Sequence, residues 1–196
     1  MWVIDRPAPD FRTKPTLTGE KVVLRPVTAS DAPVLYPMMV DPGIRRLTGS
    51  HGQMSSERVV QWYASRAGCA DRLDLAVVDR MTGACVGEAV LNEWSPCDES
   101  CNFRILVGPP GQDRGLGTEA TRLMVGHGFE KLGLHRVSLE VYAFNPRARR
   151  AYEKVGFVAE GVLRDALCWD GEWVDATVMS ILAREWEQHH GRPRAR

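Results

Sequence analysis

The sequence predicts a mixed α/β (α+β) fold, with a mostly antiparallel central sheet of six to seven strands flanked by about four helices. Short runs rich in apolar residues at 74–78, 84–92 and 101–107 follow one another in hairpin order and are joined by turn-forming residues. Amphipathic periodicity at 116–132 predicts a long helix. With 196 residues, 44% of them hydrophobic and 26% charged, the chain is long enough for one domain with a full core.

Composition also bounds the domain organisation and the partners. We expect residues 1–18, rich in proline and charge, to form an N-terminal arm, 19–186 a single domain, and 187–196 a flexible C-terminal tail. The formal net charge is zero, which favours neither nucleic acid nor a membrane surface as a partner. No apolar run approaches the ~18 residues of a membrane span. The five cysteines form no paired framework and no metal-ligand spacing, so we expect a cytoplasmic protein without a metal.

The other elements follow from caps, turns and breakers. The strand at 101–107 has to end at Gly108-Pro109-Pro110-Gly111, because two consecutive prolines cannot donate hydrogen bonds to a neighbouring strand. Before the hairpin strands we expect a strand at 22–27, a helix capped at Ser30 or Asp31 and stopped by Asp41-Pro42-Gly43, and a helix from Ser55 or Ser56 to Gly68. After the long helix we expect a strand at 135–142 and a short helix between Asn145 and Gly156. Two strands follow at 157–167 and 174–182, around the turn Asp170-Gly171.

A glycine-rich turn leads directly into the long helix. The first turn of a helix leaves backbone N–H groups without partners and carries partial positive charge. Gly115 and Gly117 would let an anion approach this backbone closely, and Arg114 adds a cation. The segment therefore predicts a site for a diphosphate.

Two nucleotide-binding patterns compete for the same glycines. Gly115-x-Gly117-x-x-Ala120, with Glu140 about 20 residues further on, also satisfies the dinucleotide-binding fingerprint. Two prolines intervene between the preceding strand and the first glycine, however, and about a hundred residues with hairpin-ordered strands come before it, which disfavours that fold. A nucleotide-kinase P-loop is excluded because no Gly-Lys-Ser/Thr follows.

Two segments of the chain instead match one known family. Gln112-x-x-Gly115-x-Gly117 resembles the pyrophosphate-binding motif of the GNAT superfamily of acyl-CoA N-acyltransferases. The segment 145–157 matches that family's Asn-x-x-Ala/Ser-x-x-x-Tyr-x-x-x-Gly-Phe pattern, and the order of elements fits from about residue 20 to 182. Within the family, Leu24-Arg25-Pro26 and 134–137 are most similar to the ribosomal-protein-alanine acetyltransferase (RimJ/RimL-type) group. Asp113 departs from the pattern, because a glycine often stands there.

The resemblance implies the fold, the co-substrate and the acceptor. It implies a GNAT fold whose sheet is splayed between the fourth and fifth predicted strands, and acetyl-CoA as co-substrate. The acceptor would be a primary amine, either a protein N-terminus or a small molecule, and the protein a possible homodimer. The alternatives are a non-catalytic acyl-CoA-binding module and an enzyme that uses another acyl-CoA such as succinyl-CoA.

The resemblance also assigns the cofactor-binding residues. Pantetheine would insert at the strand end, where a free N–H near Val107 would face the thioester oxygen. Backbone N–H groups across 112–118 would hold the diphosphate, and arginines of the short helix would contact the 3′-phosphate unless they form only a solvated face. The expected cofactor-binding residues are Leu106, Val107, Gln112, Asp113, Arg114, Gly115, Leu116, Gly117, Thr118, Asn145, Arg147 and Arg149.

Tyr152 and Glu88 are the expected catalytic residues. A phenol of pKa ~10 can protonate a thiolate whose parent thiol titrates near ~8.5, so Tyr152 would be the general acid, unless it is only a packing side chain. Glu88 lies in an apolar run, where burial would raise its pKa toward that of a general base. Glu93 and Glu99 are alternatives for the base, and each of these acids could be a solvated side chain instead.

Overall fold

The computed structural model describes residues 9–52 and 54–190, which form a layered α/β fold around one eight-stranded sheet. The strand order is β1-β2-β3-β4-β5-β6-β8-β7, and every neighbouring pair is antiparallel except β5 and β6. The strands are β1 (Leu17–Thr18), β2 (Val22–Pro26), β3 (Leu73–Asp79), β4 (Cys85–Ser95), β5 (Ser100–Val107), β6 (Arg136–Tyr142), β7 (Val158–Trp169) and β8 (Glu172–Leu182).

Helices cover both faces of the sheet. They are α1 (Ala32–Val40), α2 (Pro42–Thr48), α3 (Ser56–Arg66), α4 (Leu116–Glu130), α5 (Pro146–Val155) and α6 (Ala183–His190), with 3₁₀ turns at Ala29–Asp31 and Pro109–Gly111. The larger core lies between the sheet and α4, α5 and α6, and a smaller one lies between the opposite face and α1 and α3. The predicted fold class is confirmed, with more strands and helices within the described residues than the sequence predicted.

Helix α2 begins where the sequence was expected to stop a helix. The Asp41 carboxylate accepts a hydrogen bond from the Ile44 N–H (2.8 Å), and Pro42 occupies the first helical position. An Asp-Pro pair can begin a helix as well as end one, just as Asn145-Pro146 begins α5. Gly49 ends α2 with φ 63°, and α2 lies at the mouth of the cleft described below.

Packed residues and regular structure reach into both segments that flank the expected domain. The Phe11 side chain is 1% exposed and belongs to the larger core, and the Lys14 ammonium donates to three backbone carbonyls. Trp186 is buried, and its indole N–H donates to the Glu130 carboxylate (3.0 Å). Residues 187–190, expected in a tail, belong to helix α6 with exposed side chains, whereas 1–8 and 191–196 lie outside the described residues.

The sheet opens between β5 and β6, the fourth and fifth of the predicted strands. The two strands pair only where Ser100, Cys101 and Asn102 meet 136–138, and the rest of each strand diverges from the other. Beyond β5 the two consecutive prolines form a 3₁₀ turn, so no ladder can continue there. Between 103–107 and 139–142 the two strand edges therefore face each other without hydrogen bonds between them.

Candidate active site

A cleft of about 720 Å³ lies where β5 and β6 diverge, and it reaches both faces of the sheet. Phe103 and Leu139 pack in the core beneath α4, so the next residues along each strand, Arg104 and Glu140, point to the opposite face. On the α4 and α5 side, which we call the cofactor face, the lining includes Gln112, Gly117, Asn145 and Tyr152. On the other side, which we call the acceptor face, it includes Ile44, Leu47, Arg104, Glu140 and Tyr142.

The start of α4 supplies unpaired backbone donors to the cofactor face. Gly115 caps the helix with φ 78°, and Glu119 is the first residue whose N–H bonds back to a helical carbonyl (3.1 Å). The N–H groups of Leu116, Gly117 and Thr118 have no acceptor among the described residues, as expected for a first turn. Because the Leu116 side chain is buried, this residue can offer only its backbone to an anion.

Arg114 does not reach the cleft. Its guanidinium donates to the Asp79 carboxylate (2.7 Å) and to the Pro110 carbonyl (3.2 Å), and it is absent from the cleft lining. The hydrogen bond from Arg114, with that from the Met81 N–H, holds the pKa of Asp79 below its usual value. The expected cation at the diphosphate is therefore engaged in fixing the loop to the end of β3, a partner 35 residues away.

Glu119 ties the start of α4 to the backbone of 20–22 by hydrogen bonds, a role that the sequence analysis missed. Its carboxylate accepts from the N–H groups of Glu20 (2.6 Å), Lys21 (2.8 Å) and Val22 (3.1 Å). The Lys21 ammonium in turn donates to the Arg114 carbonyl (3.2 Å), beside the start of α4. The sequence feature that could have indicated this role is the acidic residue in the first turn of the helix, where a negative charge interacts favourably with the helix dipole.

Arg147 connects the start of α5 to the glycine-rich loop at 111–117. Its guanidinium donates to the Gln112 side-chain oxygen (2.9 Å) and lies 3.4 Å from the Asp113 carboxylate. The Gln112 amide donates to the Val107 carbonyl (2.9 Å). Asp113 takes φ 58° and its side chain is 77% exposed, so this departure from the family pattern points outward. Arg149 pairs instead with Glu153 (3.0 Å) and does not line the cleft.

Tyr152 lines the cleft from α5. Asn145 caps that helix by accepting from the Ala148 N–H (3.1 Å), which places Tyr152 two turns further on. The tyrosine is 8% exposed, and its ring packs edge-on against Phe103 (6.4 Å). Within the described residues its hydroxyl makes no hydrogen bond. Every fully buried polar side-chain atom there has a partner, so this hydroxyl is not fully buried and solvent reaches it. Burial raises the pKa of Tyr152 to about 12.

The unpaired edge of β5 offers alternate backbone N–H groups to the cleft. Gly108 donates to the Val86 carbonyl on β4 (2.8 Å), so the N–H groups of Val107 and Ile105 point the other way, into the cleft. Tyr152 packs at Phe103, about 13 Å along the strand from Val107. A thioester beside Tyr152 would therefore meet the Ile105 N–H, two residues away from the donor expected from the sequence. Leu106 contributes only its side chain, on the acceptor face.

Glu88 lies on the acceptor face but outside the cleft lining. It pairs with Leu106 in register, and its carboxylate accepts from the Tyr63 hydroxyl (2.8 Å). Burial raises the pKa of Glu88 to about 7, as expected for an inward carboxyl. Of the alternative acids, Glu93 lines the cleft and Glu99 does not. Glu140, singled out only by the dinucleotide pattern, also lines it.

Two further properties concern the described part of the chain as a whole. No helix in it has the length and apolar character needed to cross a membrane. Nor do 9–52 and 54–190 contain three or more His, Cys, Asp or Glu side chains grouped as a metal site would require.

The comparisons identify the family to which this splayed mixed sheet, with helix-terminal donors on one side of its gap, belongs. The acetyltransferase (GNAT) domain model matches residues 21–158. The chain is 25% identical over 177 residues to an uncharacterized prophage-derived N-acetyltransferase, YokL, of Bacillus subtilis (89% of this chain, 97% of YokL). It is 29% identical over 123 residues to spermidine N(1)-acetyltransferase of Escherichia coli (63% of this chain, 66% of that enzyme).

A solved structure agrees with this assignment at the level of the fold. Spermidine N-acetyltransferase from Vibrio cholerae, in complex with CoA and spermine, superposes with a TM-score of 0.80 at 23% identity, covering 86% of this chain and 99% of that one. The chain belongs to the GNAT acetyltransferases and is an acetyl-CoA-dependent N-acetyltransferase.

Proposed function

We propose that the enzyme transfers the acetyl group by direct attack of a primary amine on acetyl-CoA bound across the splayed strands, with Tyr152 as general acid. One observation carries this proposal: the unpaired amides that open α4 and the solvent-reached Tyr152 hydroxyl line the same cleft. The free edge of β5 connects the two.

Acetyl-CoA would lie along the cofactor face. Its diphosphate would accept hydrogen bonds from the N–H groups of 116–118, where the helix dipole favours negative charge. The CoA phosphates would also meet the cations that line this side, Arg147, Arg150 and Lys154. Pantetheine would pair with the unsatisfied edge of β5 as an added strand does.

The amine would reach the thioester from the acceptor face. As the nitrogen bonds to the carbonyl carbon, the Ile105 N–H would stabilise the oxyanion. Collapse of the tetrahedral intermediate would break the C–S bond, and the Tyr152 hydroxyl would give its proton to the departing sulfur. The proton lost by the amine would pass through water to Glu88, whose pKa near 7 suits a base at neutral pH.

The acceptor would be a protein N-terminus or a small-molecule amine. The RimJ/RimL-type features at 24–26 and 134–137 support the first, and the similarity to a spermidine acetyltransferase supports the second. Five free cysteines support a cytoplasmic location. Exposed apolar side chains on β7 and β8, including Val162 (57%) and Trp173 (64%), support a homodimer through this hairpin.

The proposal is tested by calorimetry with CoA and by thiol release from acetyl-CoA in the presence of an amine library. We expect binding of CoA and amine-dependent release of thiol. Absence of CoA binding at millimolar concentration, or binding without release for any amine, would contradict it. Succinyl-CoA in place of acetyl-CoA tests the acyl group, and we expect the smaller donor to be preferred.

A further inference from the structure

Arg104 and Glu140 occupy facing positions on the two edges of the cleft. The last register pair of the parallel strands is Asn102 with Ser138, so two residues further on Arg104 stands level with Glu140. Two steps along a strand restore the same face, which for both side chains is the acceptor face. Both are exposed and both line the cleft.

These two charges are unpaired within the described part of the chain. No hydrogen bond or ion pair there involves either side chain. The Arg104 charge acts on Glu88 and Tyr142 through longer-range electrostatics, which lowers their pKa values against the larger rise that burial causes. In a continuous sheet, opposite charges at such positions would pair across the strands. Here the gap between β5 and β6 separates them, so each is available to a molecule that enters between the strands.

The position of this pair along the cleft is that of the proposed reaction. Arg104 directly follows Phe103, against whose ring Tyr152 packs, and directly precedes Ile105, whose N–H points into the cleft. An amine that approaches the thioester from the acceptor face therefore passes between a guanidinium and a carboxylate. In the proposed function acetyl-CoA does not require Arg104, because its phosphates would lie on the cofactor face, which Arg147, Arg150 and Lys154 line.

We propose that the acceptor is an amine that also carries a carboxylate, so that Arg104 binds the carboxylate and Glu140 receives the ammonium before it loses its proton. This inference rests on the proposed function. The planar guanidinium matches a carboxylate with two parallel hydrogen bonds. A polyamine would instead place a second cation near Arg104, and the repulsion between like charges disfavours such a substrate.

The test compares acceptors that differ only in the carboxylate. Thiol release is measured for a series of ω-amino acids from glycine to 6-aminohexanoate, for length-matched alkylamines and for spermidine. We expect the wild type to favour the best amino acid over its alkylamine by about 10- to 100-fold in kcat/KM, the range of one charge-assisted contact. The dependence on chain length would report the spacing of the two charges.

Variants at Arg104 separate this role from a structural one. Arg104→Gln should remove the preference by raising KM for the amino acid, with KM for acetyl-CoA unchanged. Arg104→Glu should reverse the preference toward spermidine. Arg122→Gln removes an exposed arginine of α4 that does not line the cleft, and it should leave the preference intact.

The outcomes distinguish this inference from the proposed function. Equal use of amino acids and alkylamines, a wild-type preference for spermidine, or a preference that survives Arg104→Gln would overturn the inference while leaving amine acetylation in place. Absence of thiol release with every amine, although acetyl-CoA binds, would overturn the proposed function and this inference with it.

Discussion

The two faces of the cleft are built in different ways. The cofactor face uses backbone groups and side chains from two short segments, 112–118 and 145–152, each positioned by its own helix start. The acceptor face combines α2, β5 and β6, which are far apart in the sequence. Binding of a diphosphate needs little more than one helix end, whereas the contacts to the acceptor depend on how distant elements pack. The helix starts that form the cofactor face could therefore be predicted from the sequence, whereas the packing that forms the acceptor face could not.

The most decisive test of this contrast is Tyr152→Phe, which changes the one proposed catalytic side chain of the cofactor face. Removing a general acid should lower kcat by about 10²- to 10³-fold. Affinity for CoA should change little, because the ring still packs against Phe103 and the hydroxyl makes no hydrogen bond within the described residues. Steady-state kinetics and CoA calorimetry on the same preparation measure the two quantities.

The matched control for that variant is Tyr36→Phe, which alters a partly buried tyrosine of α1 outside the cleft lining. It should keep kcat within about twofold, as distant surface or packing changes usually do. A Tyr152→Phe enzyme with wild-type kcat would make the tyrosine a packing residue, and the proton for the sulfur would have to come from water.

On the acceptor face, Glu88→Gln should change the pH dependence of stability. The folded protein keeps this proton up to a pKa of about 7, and the unfolded chain loses it near 4.5. Between these values the folded state binds more protons, so its stability falls as pH rises and stays reduced above pH 7, by at most about 3 kcal/mol. The variant lacks this loss because an amide does not titrate in this range, and the Tyr63 hydroxyl can still donate to the amide oxygen.

Urea unfolding at pH 5 and pH 8 measures this difference, with the exposed Glu172→Gln as control. We expect the wild type and the control to lose stability between the two pH values relative to Glu88→Gln. An equal change in unfolding free energy between pH 5 and pH 8 in all three proteins would refute the raised pKa.

The pH profile of kcat/KM for the same variant tests the proposed base. The acidic limb near pH 7 should disappear together with most of the activity. If Glu88 is only structural, the variant should keep both the limb and the activity.

The contrast between the faces also explains which expectations from the sequence succeeded. The helix starts at Gly115 and Asn145 were predictable because each depends on a few adjacent residues. The hydrogen bond from Arg114 to Asp79 could not be predicted, because the two residues are remote in sequence and no local pattern reveals such a pair. Likewise, Glu140 gained significance only when β6 was placed beside β5, which sets it level with Arg104.

A smaller effect should separate cofactor binding from folding within α4. A Cβ added at Gly117 would meet only Val107 at an ordinary 3.5 Å, so Gly117→Ala should fold normally. The new methyl group would stand where the diphosphate approaches the helix, and we expect about tenfold weaker CoA binding. In Gly126→Ala the Cβ would lie 2.7 Å from the Trp186 ring, which should lower the melting temperature without weakening CoA binding.

The smallest expected effect compares two arginines of α5 that the sequence could not tell apart. Arg147 donates to Gln112 in the glycine-rich loop, whereas Arg149 pairs with Glu153 away from the cleft. Arg147→Gln should weaken CoA binding about threefold at low ionic strength and less at high salt, because the contact is partly exposed and screened. Arg149→Gln should leave CoA affinity unchanged at both salt concentrations. Equal losses for the two variants would mean that CoA senses only the net positive charge of α5, and the cofactor face would then lose the residue-level specificity that distinguishes it here.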